Sequence, residues 1–445
     1  MKIISKKIRL FFWLINGFIQ KQKKALIISI IIGIAFFLAI RFFVPFLGEL
    51  NIGRKKTRIG LVGNFQSDNL PDEIKEKLSY GLVKTTSDGL YQNKAISSLD
   101  VSQDFKNYHI FLKPGLMWSD GSEVESDQIK FNIEGVDISY PSKSEINFSL
   151  KEPFAPFLTL LDKPIFRQGL VGFGDFKLKK IEFENQLIKS IDIFNSKEEL
   201  NYSFYPNLTY IIHAFRLGEI DQFTSIYKNL LDPNIDKLSI AQNEEKNTYL
   251  ALFFNTDSNS FFADKSIRQA FTYAIKDKSF GNTRCLTSIP KDSFAYSDSV
   301  KDYALDSVKA NEFVSGIEKD KQKIILSTTE EYLDSAEKIK NDWQEVLGFQ
   351  VEVKLINVID DSYQVLLLPQ TVPLDPDQYI FWHSQGSANI SHFKSPKVDK
   401  LLEDGRIQPD LAKRKDYYID FQKVLSEEVP AVFLFYLRDY TYARN

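Results

Sequence analysis

The sequence has very few residues of the kinds that form disulfides or hold metals. Its 445 residues include one cysteine, Cys285, and four histidines, His109, His213, His383 and His392, which are widely spaced. A single cysteine excludes an internal disulfide and a cysteine-based zinc site. Scattered histidines give little support to a multi-histidine metal centre. We therefore predict no metal and no other cofactor.

The sequence also lacks the short motifs of common enzymes. It contains no G-x-S-x-G nucleophile elbow, no P-loop, no G-x-G-x-x-G turn and no H-E-x-x-H motif. The glycines of residues 169–174 fit a turn between strands. Asp375–Pro376–Asp377 fits a proline turn better than an acid/base pair or a cation site. Cys285 is better explained as a structural or surface thiol than as a nucleophile. We predict that the chain is not an enzyme.

Acidic residues are nearly absent from residues 1–58, whereas the rest of the chain has a net negative charge. Residues 1–58 hold twelve Lys/Arg and one acid, Glu49, a net charge of +11. The remaining 387 residues hold 44 basic and 58 acidic side chains, a net charge of −14. Nucleic-acid binding requires clustered Lys/Arg, so an acidic body predicts no nucleic-acid partner.

One long apolar run, residues 25–47 (ALIISIIIGIAFFLAIRFFVPFL), stands in the basic N-terminal part. As a helix it would be about 34 Å long, enough for a hydrocarbon core of about 30 Å. Residues 1–24 carry seven Lys/Arg and no acid. The positive-inside rule therefore predicts a single-pass protein of the cell membrane, with residues 1–24 cytoplasmic and the acidic body extracellular or periplasmic. A cleaved signal peptide is the alternative, but the run is long and no small-x-small site ends it.

The body alternates strand and helix patterns, which predicts an α/β protein with mixed sheets. Apolar or alternating runs predict strands at 108–112, 249–255, 349–355, 363–368 and 431–436. The segment 249–255 (YLALFFN) is apolar throughout, as in strands buried on both faces. Helical spacing and capping residues predict helices at 71–80, 127–134, 330–347 and 409–426.

Five segments, taken in order, resemble the extracellular solute-binding protein family 5, the peptide- and nickel-binding subunits of ABC importers. They cover most of residues 70–440. The segments are 108–121 (YHIFLKPGLMWSDG), 204–221 with its Leu-Gly-Glu-Ile-Asp ending, 254–275 with Asn-Thr and Arg-Gln-Ala, 375–402 with Asp-Pro-Asp and Lys-Ser-Pro, and 414–430.

The resemblance implies a two-lobed, type II periplasmic-binding-protein-like clamp with mixed sheets, here preceded by one transmembrane helix. It assigns residues 58–245 with 411–445 to lobe I and residues 246–410 to lobe II. It also implies two partners, a peptide or other elongated small-molecule ligand between the lobes and an ABC permease in the membrane. The lipid bilayer is the third expected partner, through residues 25–47.

The resemblance also indicates ligand-binding residues. Two short stretches match strands that pair with the ligand's main chain, and one aromatic side chain matches a contact from the last strand. Val372 stands where peptide-binding relatives place an acid that pairs with the peptide's amino group, and Pro369 has no N–H for pairing. The predicted site comprises Tyr80, Gly81, Leu82, Leu368, Pro369, Gln370, Val372 and Tyr436.

Three functions remain open at this point. The first is the substrate-binding component of an ABC transporter, in which the lobes close on the solute. The second is a tethered scaffold or sensor without a transport role, a hypothesis motivated by the missing acid at Val372. The third and weakest is a hydrolase that uses Asp375 or Asp377.

Overall fold

The computed structural model describes residues 13, 21–22, 54–232, 238–257, 259–359 and 362–444. Most of the predicted cytoplasmic segment 1–24 and the whole predicted membrane helix 25–47 lie outside the described residues. Among the residues that are described, no helix is long and apolar enough to cross a membrane.

By their internal contacts the residues form two units. The first is Met1–Lys56 with Phe194–Glu199, and the second is Thr57–Ile193 with Leu200–Asn445. In the first unit the amide of Lys55 donates to the carbonyl of Lys197 at 3.3 Å. The ammonium of Lys56 lies 3.4 Å from the carboxylate of Glu199. The cores, cavities and candidate site residues described below belong to the second unit.

The secondary structure mixes strands and helices along the described chain, as predicted. The strands are β1 Lys55–Val62, β2 Val83–Thr85, β3 Tyr91–Asn93, β4 Ile96–Val101, β5 Asn107–Leu112, β6 Val136–Ser142, β7 Glu145–Leu150, β8 Lys177–Glu184, β9 Leu187–Phe194, β10 Glu198–Tyr205, β11 Gln222–Ser225, β12 Leu238–Phe254, β13 Lys323–Thr328, β14 Gln350–Leu355, β15 Val365–Thr371 and β16 Ala431–Arg444. The helices are α1 Asp72–Leu78, α2 Leu208–Leu217, α3 Lys265–Tyr273, α4 Ser307–Phe313, α5 Leu333–Leu347, α6 Tyr379–Trp382, α7 Pro396–Ile407 and α8 Leu411–Glu428.

The strands form one large mixed sheet and two smaller antiparallel ones. The large sheet has the order β14-β13-β15-β12-β16-β11-β1-β10-β9-β8. The pairs β13–β14 and β13–β15 are parallel, whereas β12 pairs antiparallel with β15 and with β16. The smaller sheets are the hairpin β2-β3 and the four-stranded sheet β4-β5-β7-β6.

The apolar half of β12 is buried on both faces, as its composition predicts. Successive strand side chains point to opposite faces. Leu250, Leu252 and Phe254 therefore enter one core, cluster A, with the helices α3 and α5. Tyr249, Ala251 and Phe253 enter a second core, cluster B, with side chains of α7 and α8. This one strand thus holds two helical layers together.

The two longest strands, β12 and β16, pair along two separate stretches. Residues 249–253 pair with 431–436, and residues 238–244 pair with 438–444. The register shifts between Glu244 and Tyr249. The first stretch borders clusters A and B, whereas the second continues through β11 into the other half of the large sheet. Both strands therefore cross from one half of the unit to the other.

The four-stranded sheet has a core of its own, cluster C. Inward-facing side chains alternate along β5 and β7, with Tyr108 opposite Phe148 and Ile110 opposite Ile146. The turn Phe157–Leu161 packs on the same core. The rings of Tyr108 and Phe157 are 4.5 Å apart at their centres.

Residues 127–134 are not an α-helix, so that prediction is wrong. Only Ser126–Gln128 form a 3-10 turn. The hydroxyl of Tyr140 donates to the carbonyl of Ile129 at 2.9 Å, the acceptor that a continuing helix would need. The indole N–H of Trp118 donates to the side chain of Gln128 at 2.7 Å. The bond from Tyr140 therefore outcompetes the local helical propensity of this short segment.

Candidate functional site

The first predicted binding stretch, Tyr80–Gly81–Leu82, is already paired within the chain. The amide of Leu82 donates to the carbonyl of Leu161 at 2.8 Å, and its carbonyl accepts from Lys94 and Ala95. A Cβ at Gly81 would overlap the backbone of Leu161 and Asp162, which explains the glycine. The Leu82 side chain is buried in cluster C. Leu82 therefore has no free main-chain edge for a ligand.

Tyr80 nevertheless lines a cavity of about 150 Å³, together with Gly81. Its charged walls are internally compensated, because the ammonium of Lys84 lies 3.7 Å from Glu76 and 3.6 Å from Asp162. The ammonium of Lys94 lies 5.8 Å from the centre of the Tyr80 ring. Burial, and then the hydrogen bond with Asp175, raises the pKa of Tyr80. The phenol therefore stays neutral and can donate a hydrogen bond. The full lining of this cavity is Glu76, Ser79, Tyr80, Gly81, Val83, Lys84, Lys94, Asp162 and Pro164.

The second predicted stretch, Leu368–Pro369–Gln370, lies on β15 beyond the end of its pairing with β13. The parallel ladder to β13 ends at Leu367, and β12 remains as the neighbour on the other side. The amide of Val372 donates to Asn247 of β12 at 2.9 Å. Hydrogen-bonded pairs alternate along an antiparallel ladder. Residues 368 and 370 therefore bond to β12, whereas 369 faces the open edge, and that position is the one that lacks an N–H.

Val372 and Tyr436 both lie inside cluster B. Val372 is buried, and its carbonyl accepts from the Asn247 side chain at 3.3 Å. The hydroxyl of Tyr436 accepts from the amide of Lys291 at 3.0 Å, and burial raises its pKa. These two predicted residues therefore pack in the core. The structure places Leu368, Val372 and Tyr436 in or against cluster B, and Tyr80 beside cluster C. The Gln370 side chain accepts from the hydroxyl of Tyr249, a cluster B residue, at 2.9 Å.

The lone cysteine, Cys285, is also buried in cluster B. Burial raises the pKa of its thiol to about 12. A thiol that stays protonated is a poor nucleophile. This agrees with the structural role expected for it.

A groove of about 220 Å³ opens where cluster C meets the first turn of α8. One wall comes from β3, the β4–β5 turn and the segment 155–158, and the other comes from the start of α8. Large apolar side chains dominate the surface. None of the residues that line this groove was among the predicted site residues. The available signal was Leu90 and Phe105 beside the polar turn residues Asp88 and Asp104, where apolar side chains are uncommon. The lining is Gly89, Leu90, Tyr91, Val101, Phe105, Tyr108, Ala155, Leu158, Pro409, Leu411 and Arg414.

The charged residue of this groove, Arg414, forms an ion pair with Asp375. Its two terminal nitrogens donate to the carboxylate of Asp375 at 2.7 and 2.6 Å, and both side chains are buried. Burial opposes the charged guanidinium, but the hydrogen bonds and the charge of Asp375 outweigh it and raise the pKa of Arg414. The first aspartate of the Asp-Pro-Asp turn is thus committed to an ion pair.

The second aspartate, Asp377, belongs to a contact between α7 and the segment that follows β7. The guanidinium of Arg406 donates to Asp377 at 3.0 Å. It stacks between the rings of Tyr379 and Phe154, at 4.1 and 5.1 Å from their centres. The Arg406 carbonyl accepts from the amide of Ala155 at 2.7 Å. Because Ala155 also lines the groove, this stack lies at its rim. Both aspartates are ion-paired, which weakens the hydrolase hypothesis.

Comparisons with known proteins agree with this architecture. The chain is 20% identical over 468 residues to the oligopeptide-binding protein AppA of Bacillus subtilis, with 84% of this chain and 83% of that protein covered. It is 21% identical over 429 residues to the dipeptide-binding protein of Escherichia coli, covering 75% and 79% of the two chains.

Solved structures show the same fold. NikZ from Campylobacter jejuni, in complex with Ni(L-His), matches with a TM-score of 0.74 and 21% identity over 88% of this chain and 95% of that chain. AppA from Bacillus subtilis, in complex with a nonapeptide, matches with a TM-score of 0.70 and 18% identity, covering 88% and 95%.

The model of the bacterial extracellular solute-binding proteins, family 5 Middle, matches residues 91–391. This range is more than half of the chain. It includes β3, the groove wall of β5 and the Asp-Pro-Asp turn. The chain therefore belongs to the bacterial extracellular solute-binding proteins of family 5.

Proposed function

We propose that the chain is the substrate-binding component of an ABC transporter. It captures a peptide or a similar elongated solute outside the membrane, between two hinged lobes, and delivers it to an ABC permease. Family membership supports this, as do the relatives named for oligopeptide and dipeptide binding. The observation that carries the proposal is the solvent-open groove between cluster C and α8, because binding proteins of this kind need a crevice between two cores.

The mechanism is a closure of the two lobes on the solute, in which the solute binds the closed state more tightly than the open one. The crossing strands β12 and β16 supply a connection that can bend at the register shift between Glu244 and Tyr249. The sequence predicts lobe I as residues 58–245 with 411–445 and lobe II as residues 246–410. The packing of α8 in cluster B favours moving residues 411–428 to lobe II.

The site combines the predicted residues with the groove. Tyr80 and Gly81 line the cavity of about 150 Å³. The open edge at Pro369, flanked by Leu368 and Gln370, offers carbonyl oxygens but not the N–H at 369. Residues 25–47 would hold this site at the outer face of the membrane. Full-length protein should therefore sediment with membranes, and a variant that lacks residues 1–53 should remain in the supernatant. Equal sedimentation of both would contradict the anchor.

The function is tested by capture of cargo. We expect native mass spectrometry of the full chain, purified from its host, to show a retained small molecule. Small-angle scattering should show a smaller radius of gyration once a binding peptide pool is added. Leu411→Glu places a charge in the groove and should abolish capture. Leu217→Glu, at an exposed site of α2, serves as the control. No added mass and no shrinkage with any pool would contradict the proposal.

A tethered scaffold or sensor is the second candidate. It is favoured by the buried, apolar Val372 and by Pro369, since both remove groups that would bind a peptide's main chain or amino group. Affinity purification of the full chain from crosslinked host membranes separates the two functions. Recovery of permease subunits supports transport. Recovery of envelope or signalling proteins without a permease supports the scaffold.

A further inference from the structure

The groove between cluster C and α8 is chemically selective. We infer that it takes an uncharged, apolar group of the cargo, such as a bulky aliphatic or aromatic side chain or a short acyl chain. This inference deepens the proposed function and rests on it. Three independent properties of the groove carry it, namely its size, its charge and its exposed apolar surface.

Size limits what the groove can hold. Its volume is about 220 Å³. Pockets that enclose a whole drug-sized ligand have about 300–1,000 Å³. The groove therefore accommodates one bulky group of an elongated cargo. The rest of the cargo must lie outside it.

Charge limits the chemistry of that group. Among its lining residues only Arg414 is charged, and Asp375 binds both of its terminal nitrogens. Tyr91 and Tyr108 remain neutral, because burial raises the pKa of both phenols and brings that of Tyr108 to about 12. A charged group of the cargo would lose its hydration here without gaining an opposite charge. An apolar group has no such hydration to lose.

Exposed apolar surface supplies the driving force. Leu90 is 55% exposed, and Val101 and Phe105 are each 38% exposed, yet all three converge on this groove. Contiguous apolar surface of this kind marks interaction sites, since covering it removes it from water. A Leu- or Phe-sized group of the cargo covers it.

The backbone at Phe105 adds a further observation. Its φ of +54° lies in the left-handed region, which is costly for a bulky residue. Two hydrogen bonds stabilise the turn. The amide of Phe105 donates to the carbonyl of Ser102 at 2.9 Å, and the amide of Asn107 donates to the Ser102 hydroxyl at 2.9 Å. The chain thus maintains an unfavourable conformation where the aromatic ring forms part of the groove.

The test uses the full chain in nanodiscs and a mixed tetrapeptide library, with bound peptides identified by mass spectrometry. Peptides containing Leu, Ile, Met or Phe should be enriched over those containing only Ala, Asp, Glu, Lys or Arg. Phe105→Ser and Leu90→Ser should each weaken binding of a selected apolar peptide about tenfold, from the apolar area lost. Both residues are partly exposed, so the variants should fold. Met117→Ser removes an exposed apolar side chain outside the groove and should leave binding unchanged.

The outcomes separate this inference from the function on which it rests. Capture without enrichment, or enrichment of charged peptides, overturns the inference and leaves the proposed function intact. Unchanged affinity in both serine variants also overturns it. Failure of every library member to bind overturns peptide capture itself, and the inference with it.

Discussion

At the scale of single residues, Gly81 allows a close approach between two backbone segments. A Cβ there would overlap the carbonyl of Leu161 and the backbone of Asp162, neither of which can move away easily. We expect Gly81→Ala to lower the free energy of unfolding by about 1–3 kcal/mol, as overpacking does. Urea denaturation measures this. Gly316→Ala is the matched control, because nothing lies within 4 Å of its Cβ position and its stability should stay within about 0.5 kcal/mol.

Lys278 predicts a pH dependence of stability. Burial, and then the nearby charge of Arg284, lowers its pKa to about 8, while its ammonium donates to the carbonyls of Tyr303 and Ile275. The unfolded chain keeps the usual pKa of about 10.4, so between pH 8 and pH 10 it binds more protons than the folded chain. Stability should therefore rise with pH across this window.

The variant Lys278→Met isolates this effect. Relative to the variant, the wild-type protein should gain on the order of 2 kcal/mol between pH 8 and pH 10, because only the wild type loses a buried charge. Unfolding by urea at several pH values measures the difference. A difference that stays constant with pH would contradict the prediction.

At the scale of secondary-structure elements, substitutions on β15 can test which of its residues bond to β12 and which face the open edge. Residue 369 faces the open edge, so Pro369→Ala should leave stability nearly unchanged and add one N–H donor there. If a peptide's main chain pairs with this edge, its affinity should rise by a factor of about three to ten, the value of one hydrogen bond. Titration calorimetry with a bound peptide measures this.

The neighbouring position provides the control. The register assigns the amide of Gln370 to the ladder with β12. Gln370→Pro should therefore cost about 3 kcal/mol or more of stability, since it removes that bond and adds a steric clash. Equal stability of the Pro369→Ala and Gln370→Pro variants would show that the assigned alternation is wrong.

Element type was predictable where the local pattern was strong. The helix α5 ends at Gly348, whose φ of +76° suits glycine, and β12 shows the burial on both faces that its apolar run predicts. The predicted helix at 127–134 is absent, and Tyr140 binds the carbonyl of Ile129 that a helix would use. The sequence alone does not show which side chain will reach that carbonyl.

Site residues were less predictable than elements, for a related reason. The resemblance indicated residues 368–370, which lie on β15, and Tyr80, which lines a cavity, but the exposure of each side chain decides whether it can contact a ligand. Val372 and Tyr436 are apolar or aromatic, as core and pocket residues both are, and they turned out to be core. The groove depends on contacts between residues 89–108 and 409–414, which are some 300 positions apart.

At the scale of the whole molecule, Arg406 should control closure. Its stack between Phe154 and Tyr379 joins α7 to the segment beside the groove. Arg406→Lys keeps a positive charge for Asp377 but loses the planar stacking surface. We expect a larger radius of gyration by small-angle scattering and about fivefold weaker cargo binding, since the closed state loses a contact worth about 1 kcal/mol.

A matched substitution on α2 controls for the change of side chain. Arg216 is exposed, and Arg216→Lys should alter neither the radius of gyration nor affinity. If Arg406→Lys changed neither the radius of gyration nor the affinity, the stack would have no role in closure.

The burial of Cys285 has a practical consequence for observing these motions. Since the chain's only thiol is buried and protonated at neutral pH, maleimide dyes should not react with the native protein. Two cysteines introduced at exposed sites on either side of the crossing strands would then be the sole labelling points. Single-molecule fluorescence energy transfer can follow opening and closing in the otherwise unaltered chain, without first removing a residue from its core.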